Sequence, residues 1–128
     1  RMKARNEHIV PLPRQAVEML KGLQSITGNR KHLFPGRDDR NAPMSAASIR
    51  QALKVLGWSG TYSPHATRTT GSTRLNEMVY RPDAIEAQLA HADQNNVRRT
   101  YNHATYFDER RAMMQDWADH LDTWRKKS

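Results

Sequence analysis

Ser63-Pro64-His65-Ala66-Thr67-Arg68-Thr69-Thr70 is the stretch whose reading organises the rest of the chain. Ser63 brings a side-chain oxygen that can accept a backbone N–H at a helix start, and Pro64, with its fixed φ and missing N–H, suits the first helical position. The pair predicts a helix from Pro64 to about Val79, with Gly71 inside it. Working upstream, Ser45 offers another N-cap, for a helix in which Ile49, Leu53 and Leu56 share a face, Gly57 closes the end and Trp58 packs after the turn. Earlier still, Ala16, Val17, Leu20, Leu23 and Ile26 recur at helical spacing over Arg14 to Ile26, between Pro13 and Gly28.

Working downstream, Pro82-Asp83 opens a shorter helix that points Ile85 and Leu89 inward, and a short helix is expected around Val97 to Tyr101. Phe107 to Trp124 places Met113, Met114, Trp117, Leu121 and Trp124 along one stripe and ends in Arg125-Lys126-Lys127, cations suited to a helix C-terminus. Two pieces read as extended: His8-Ile9-Val10-Pro11-Leu12, a strand fit for a sheet edge, and His32-Leu33-Phe34-Pro35, followed by a charged loop from Gly36 to Met44. No internal repeat or low-complexity tract interrupts the pattern. The expected fold class is mainly α with a small β element, as one domain over residues 1–128.

The 128 residues carry 21 Lys and Arg against 13 Asp and Glu, a formal net charge of +8, and no cysteine. Without cysteine, a disulfide framework, a thiolate-bound zinc and a thiol nucleophile are all excluded. No apolar run approaches the ~18 residues of a membrane span, and Arg1-Met2-Lys3-Ala4-Arg5 is not followed by the apolar core of a signal peptide, so a soluble, intracellular protein is expected. The charge is uneven. Residues 1–74 hold 13 Lys and Arg and four Asp and Glu, whereas residues 75–128 hold eight and nine. A surface so lopsided attracts phosphates, and nucleic acid is the commonest polyphosphate.

Three features carry reactive groups. His65 and Arg68, three residues apart, lie on one face of their helix near its N-terminus, where backbone N–H groups also favour an anion. His91 follows the helix of Ile85, and Tyr101 lies ten residues further on with Arg98 and Arg99 just before it. A tyrosine hydroxyl, with a pKa near ~10, becomes a nucleophile at neutral pH when a base or cations assist loss of its proton. Lys3 adds a cation ahead of the predicted strand. Singly, each has an ordinary structural explanation: a capping histidine, a packed tyrosine, a solvated lysine. Their joint occurrence points to phosphate chemistry.

The ordered series Met2-Lys3, His8-Ile9-Val10-Pro11-Leu12, Leu33-Phe34-Pro35, His65-Ala66-Thr67-Arg68-Thr69-Thr70, Ile85-Glu86-Ala87-Gln88-Leu89-Ala90-His91, Val97-Arg98-Arg99-Thr100-Tyr101-Asn102 and Arg110-Arg111-Ala112-Met113-Met114-Gln115 resembles the tyrosine recombinases, and among them the phage and genomic-island integrases. The resemblance runs over essentially the whole chain. It implies the catalytic-domain fold of these DNA breaking and rejoining enzymes, and it matches Lys3, His65, Arg68, His91 and Tyr101 to the family's active-site positions. Tyr101 would attack a scissile phosphate to give a 3′-phosphotyrosine and a 5′-hydroxyl, Arg68 and His91 would hold the phosphate, His65 would move the tyrosine proton, and Lys3 would protonate the leaving oxygen. No metal or cofactor is implied. Double-stranded DNA at attachment sites is the implied partner, bound by a tetramer of the full-length protein in the bacterial cytoplasm, on the nucleoid.

The family also carries an active-site arginine upstream of the lysine, in a helix with a Thr-Gly-x-Arg-type sequence, and Arg1 and Arg5 lie too close to Lys3 to match it. The resemblance therefore implies the C-terminal part of an integrase catalytic domain, without the upstream catalytic helix and DNA-binding domains, and unable to recombine DNA alone. Tyr106 is a rival nucleophile by spacing, although the Arg-Arg-Thr-Tyr-Asn context favours Tyr101. Two other functions compete: a non-catalytic DNA-binding module using the Ser45 to Leu56 helix and its successor as a helix-turn-helix, and a metal-dependent phosphoesterase using His65, His91 and His103, for which no carboxylates are suitably spaced.

Overall fold

The structure, a computed structural model, describes residues 8–28, 30–89 and 106–126. Among them the chain forms α1 (Arg14–Thr27), α2 (Ala46–Val55), α3 (Pro64–Glu77), α4 (Pro82–Gln88) and α5 (Phe107–Arg125). These are the helices that the caps and prolines mark, each within a residue or two of its expected ends. The short helix expected around Val97 to Tyr101 lies outside the described residues. The chain divides into two compact units, residues 14–70 and residues 1–13 with 71–128, and α3 crosses from one to the other.

The β element is smaller than expected: it falls on the second of the two expected extended pieces and not on the first. His8 to Pro13 has no ladder among the described residues, while Pro35 and Pro43 form one antiparallel bridge. Proline explains both outcomes. Pro11 and Pro13 have no N–H to donate, so the first segment cannot sustain a ladder through them. Around the bridge the donors come from the prolines' neighbours, Gly36 N–H to the Ala42 carbonyl at 2.8 Å and Met44 N–H to the Phe34 carbonyl at 2.8 Å. Gly36 is required there, because a Cβ would meet the Asp39 carbonyl oxygen at 2.6 Å.

In residues 14–70, α1 and α2 contain no fully buried residue. Leu20, Leu23 and Leu53 are half-buried, whereas Ile26 is 83% exposed, Leu56 lies open, and Trp58 is half exposed with its ring edge against Tyr62. The helical periodicity is right, and Trp58 packs after the turn as expected, against Tyr62. Ser45 has the extended backbone of an N-cap, yet its hydroxyl pairs with the Ser48 hydroxyl at 3.0 Å and makes no capping bond. At its other end α2 stops in a Schellman turn: Trp58 N–H reaches the Leu53 carbonyl, Gly57 N–H reaches Lys54, and Gly57 takes φ +81°.

The densest core lies in the other unit, where Leu75 of α3, Ile85 of α4 and Met113 of α5 meet and Met78, Tyr80, Leu89 and Trp117 pack around them. Ala84 and Ala118 are also buried, small side chains that let the helices approach closely. Met113 and Trp117 of the α5 stripe thus pack within the chain, Leu121 is 42% exposed, and the last turns add an aromatic cluster. Trp117 and His120 stack at 6.1 Å, His120 meets Trp124 edge-on at 4.6 Å, and the Arg74 guanidinium lies 5.5 Å over the Trp124 ring. Tyr80 donates its hydroxyl to Asp116 of α5. Burial first, then that bond and the charges of Asp116 and Glu109, push the Tyr80 hydroxyl up to about 12.

α3 ends two residues before the expected Val79, in the same Schellman pattern as α2. Tyr80 N–H bonds the Leu75 carbonyl at 3.1 Å and Val79 N–H bonds Asn76 at 3.0 Å. Here the left-handed position, filled by glycine after α2, holds a valine with φ +63°. A branched side chain in that region costs about 1–2 kcal/mol locally, so the packing of Leu75 and Tyr80 on either side must impose it.

Candidate active site

Of the five candidate residues, His65 and Arg68 fall within the described residues, and both lie in the first turns of α3. Lys3, His91 and Tyr101 lie outside them, as do Arg98, Arg99 and His103. The pair is built from the cap upward. Ala66 N–H reaches both oxygens of Ser63, the hydroxyl at 3.2 Å and the carbonyl at 3.0 Å, which fixes the first turn as the sequence predicts. Three residues of helix then separate His65 from Arg68 by about 60° around the axis, on neighbouring rows of one face. His65 is exposed and Arg68 half-buried.

A brace that the sequence reading missed supports this turn. Gly57 and Gly60, both at positive φ, fold the connection so that Tyr62 N–H bonds the Trp58 carbonyl and the two rings meet edge to face at 6.2 Å. The Tyr62 hydroxyl then pairs with Thr67 Oγ1 at 2.6 Å, and Thr69 Oγ1 donates to the His65 carbonyl at 3.4 Å. Tyr62 thus ties the loop to the helical turn that holds Arg68. Trp58, Tyr62 and Thr67 are individually unremarkable in sequence, since nothing local marks an aromatic pair four residues apart as a brace for the next helix.

The surroundings are basic. Residues 14–70 carry nine Lys and Arg and three Asp and Glu, so an anion approaching Arg68 meets an attractive field. Eight residues, 56–63, connect α2 to α3. A helix-turn-helix uses a turn of about three to four residues, so this connection does not fit the DNA-binding rival. No group of three or more metal-ligating side chains occurs among the described residues, and no helix there is long and apolar enough to cross a membrane.

Tyr106, the rival nucleophile, sits at the start of α5. Its carbonyl accepts the Arg110 N–H at 2.8 Å, and its ring lies 5.3 Å beneath the Arg81 guanidinium, which also approaches Glu109 at 3.9 Å. These contacts are those of a helix-capping aromatic held by a cation.

Another group that sequence reading did not single out is Arg110, fully buried among the α4 and α5 residues. Its Nε donates to Gln88 Oε1 at 2.9 Å and one Nη to the Ile9 carbonyl at 2.6 Å. Burial lowers the guanidinium below its ordinary value. A usable signal existed: Arg110 precedes Met113 by three and Trp117 by seven, which puts it on the inward face of α5.

Comparison with known proteins agrees with the family resemblance. The chain is 48% identical over 123 residues to the prophage integrase IntZ of Escherichia coli, covering 95% of this chain and 30% of that protein. It is 45% identical over 122 residues to the integrase of Shigella phage Sf6, covering 94% and 32%. With the prophage integrase IntA of Escherichia coli it shares 44% identity over 119 residues, covering 93% and 29%. The chain thus spans roughly a third of the length of these relatives. No solved structure matches it. The Phage integrase family matches residues 1–107, a span that includes Lys3, His65, Arg68, His91 and Tyr101. By that match over most of its length, this chain belongs to the phage integrase family.

Proposed function

We propose that this chain supplies the nucleophile and most of the phosphate-binding groups of a site-specific recombinase that cuts and rejoins double-stranded DNA. The observation that carries the proposal is the His65–Arg68 pair on one face of a capped helix start, within a family match that also takes in Lys3, His91 and Tyr101. The Tyr101 oxygen attacks the scissile phosphorus while the bond from phosphorus to the 5′ oxygen breaks, giving a 3′-phosphotyrosine and a free 5′-hydroxyl. His65 takes part in removing the tyrosine proton, and Lys3 gives one to the leaving oxygen. Arg68 neutralises the non-bridging oxygens as charge builds, and His91 hydrogen-bonds the same phosphate. The phosphodiester energy stays in the tyrosyl bond, so a 5′-hydroxyl from another strand reverses the step and rejoins the DNA. The side chains supply the positive charge that a metal supplies in other phosphoryl-transfer enzymes, and no cofactor is needed.

The full-length protein acts inside the cell as a tetramer that pairs two attachment sites. The 128 residues alone do not exchange strands, because the further arginine that the family uses is not among them. Strand exchange by the isolated polypeptide would refute this.

The decisive test offers the full-length protein a nicked duplex spanning the junction of its own mobile element, so that the short fragment bearing the new 5′-hydroxyl escapes and the covalent adduct accumulates. The wild type gives an adduct on the Tyr101 peptide, unaffected by EDTA. Tyr101→Phe gives none while binding the same DNA with unchanged affinity. An adduct on Tyr106, or cleavage by Tyr101→Phe, would overturn the assignment.

A further inference from the structure

Arg110 is placed where an arginine is costly. Its side chain has no exposure, and among the described residues no carboxylate pairs with it and one of its two terminal nitrogens makes no hydrogen bond. A methionine of similar length would fill the same space without desolvating a charge. What only the guanidinium provides is a pair of directional bonds to two other parts of the chain, Gln88 Oε1 at the end of α4 and the Ile9 carbonyl in the N-terminal segment. Gln88 is held twice, since its own carbonyl accepts the His8 Nε2 hydrogen at 3.3 Å. Residues 8–9, 88 and 110 are thus fastened at one point inside a single unit.

The identity of the fastened segments gives this point its meaning. Gln88 stands three residues before His91, Arg110 nine residues after Tyr101, and Ile9 six residues after Lys3. The chain leaves the junction at Gln88, carries His91 and Tyr101, and returns to it at Arg110.

We propose that Arg110 is a positioning residue for strand cleavage, fixing through its bonds to Gln88 and Ile9 the segments that bear Tyr101, His91 and Lys3. The assignment rests on the catalytic roles proposed above. It gives Arg110 no contact with DNA: its effect falls on the rate of the chemical step, since small displacements of a nucleophile from its line of attack are expensive in rate.

The test uses the full-length protein and the same nicked duplex at saturating concentration, with adduct formation followed in a single turnover. Arg110→Lys slows adduct formation about tenfold or more, while the dissociation constant for the duplex and the unfolding midpoint stay near wild type. Gln88→Met, which removes the acceptor, slows it likewise, and Gln88→Glu, which keeps it, restores the rate. The double variant Arg110→Lys with Gln88→Met is no slower than the worse single variant, because Gln88→Met removes a bond that Arg110→Lys has already broken. If Arg110→Lys fails to fold, the Met and Glu variants at Gln88 decide the matter alone. Wild-type rates in Arg110→Lys and Gln88→Met overturn the inference, and so do losses that merely follow lost DNA affinity or lost stability. A wild-type protein that forms no adduct on Tyr101 would instead refute the underlying catalytic reading, and this assignment with it.

Discussion

Replacing Ile85 by alanine tests whether Leu75, Ile85 and Met113 are the centre of stability. Ile85 is 1% exposed and meets side chains from α3 and α5. The substitution deletes three buried carbons, about 2.4 kcal/mol at ~0.8 kcal/mol each, and the cavity adds to this because neighbours held on two other helices collapse only partly. The better helix propensity of alanine returns a few tenths, leaving a loss of about 3 kcal/mol. For a chain of this size that is a fall of about 10–15 °C in the unfolding midpoint. The matched control is Ile26→Ala, at a position 83% exposed, which should change stability by less than about 0.5 kcal/mol. Urea unfolding followed by circular dichroism measures both. Equal effects at the two sites, or a loss below about 1 kcal/mol at Ile85, would refute the placement of the core.

Other expectations concern the cap and the Tyr80 hydroxyl. Ser63→Ala removes the capping oxygen 3.2 Å from Ala66 N and should cost about 1 kcal/mol, seen as faster amide hydrogen exchange in the first turn of α3 around His65. Tyr80, with its hydroxyl pushed up to about 12 from 10, is stabilised as the neutral phenol. Its contribution is complete below pH 10 and is lost as pH rises from there through about 12. An ultraviolet titration should show Asp116→Asn lowering this value towards 10 without reaching it, since burial, the largest cause, remains; an unchanged value would dismiss the Asp116 bond as a cause.

The helices were legible because their signals are local. Ser63-Pro64 opens α3 with the bond it foretells, Pro82 opens α4, and Met113 and Trp117 of the α5 stripe point inward where α5 meets α3 and α4. Burial in residues 14–70 was less legible: the spacing of Ile26 and Leu56 announces a helix, and nothing in that spacing says how much neighbour each will find. The extended segment at His8 to Leu12 was misread because an apolar run weighed more than its prolines, although a ladder needs the donors that Pro11 and Pro13 lack. At the candidate site the His65–Arg68 spacing was readable from the helix period. The Tyr62–Thr67 brace and the Arg110 junction were not, since each joins residues whose meeting depends on how loops return. Arg110 interacts with Ile9 across 101 positions of sequence, a separation at which no local pattern operates.

The valine at φ +63° that ends α3 also shows what specifies the corner between α3 and α4. Left to local preference, the helix would run on towards Pro82, whose ring disfavours helical backbone in the residue before it. The stop at Glu77 is therefore written by tertiary contact, with Leu75 and Tyr80 packed about the turn. The junction at Gln88, one short helix beyond, lies where that corner directs the chain.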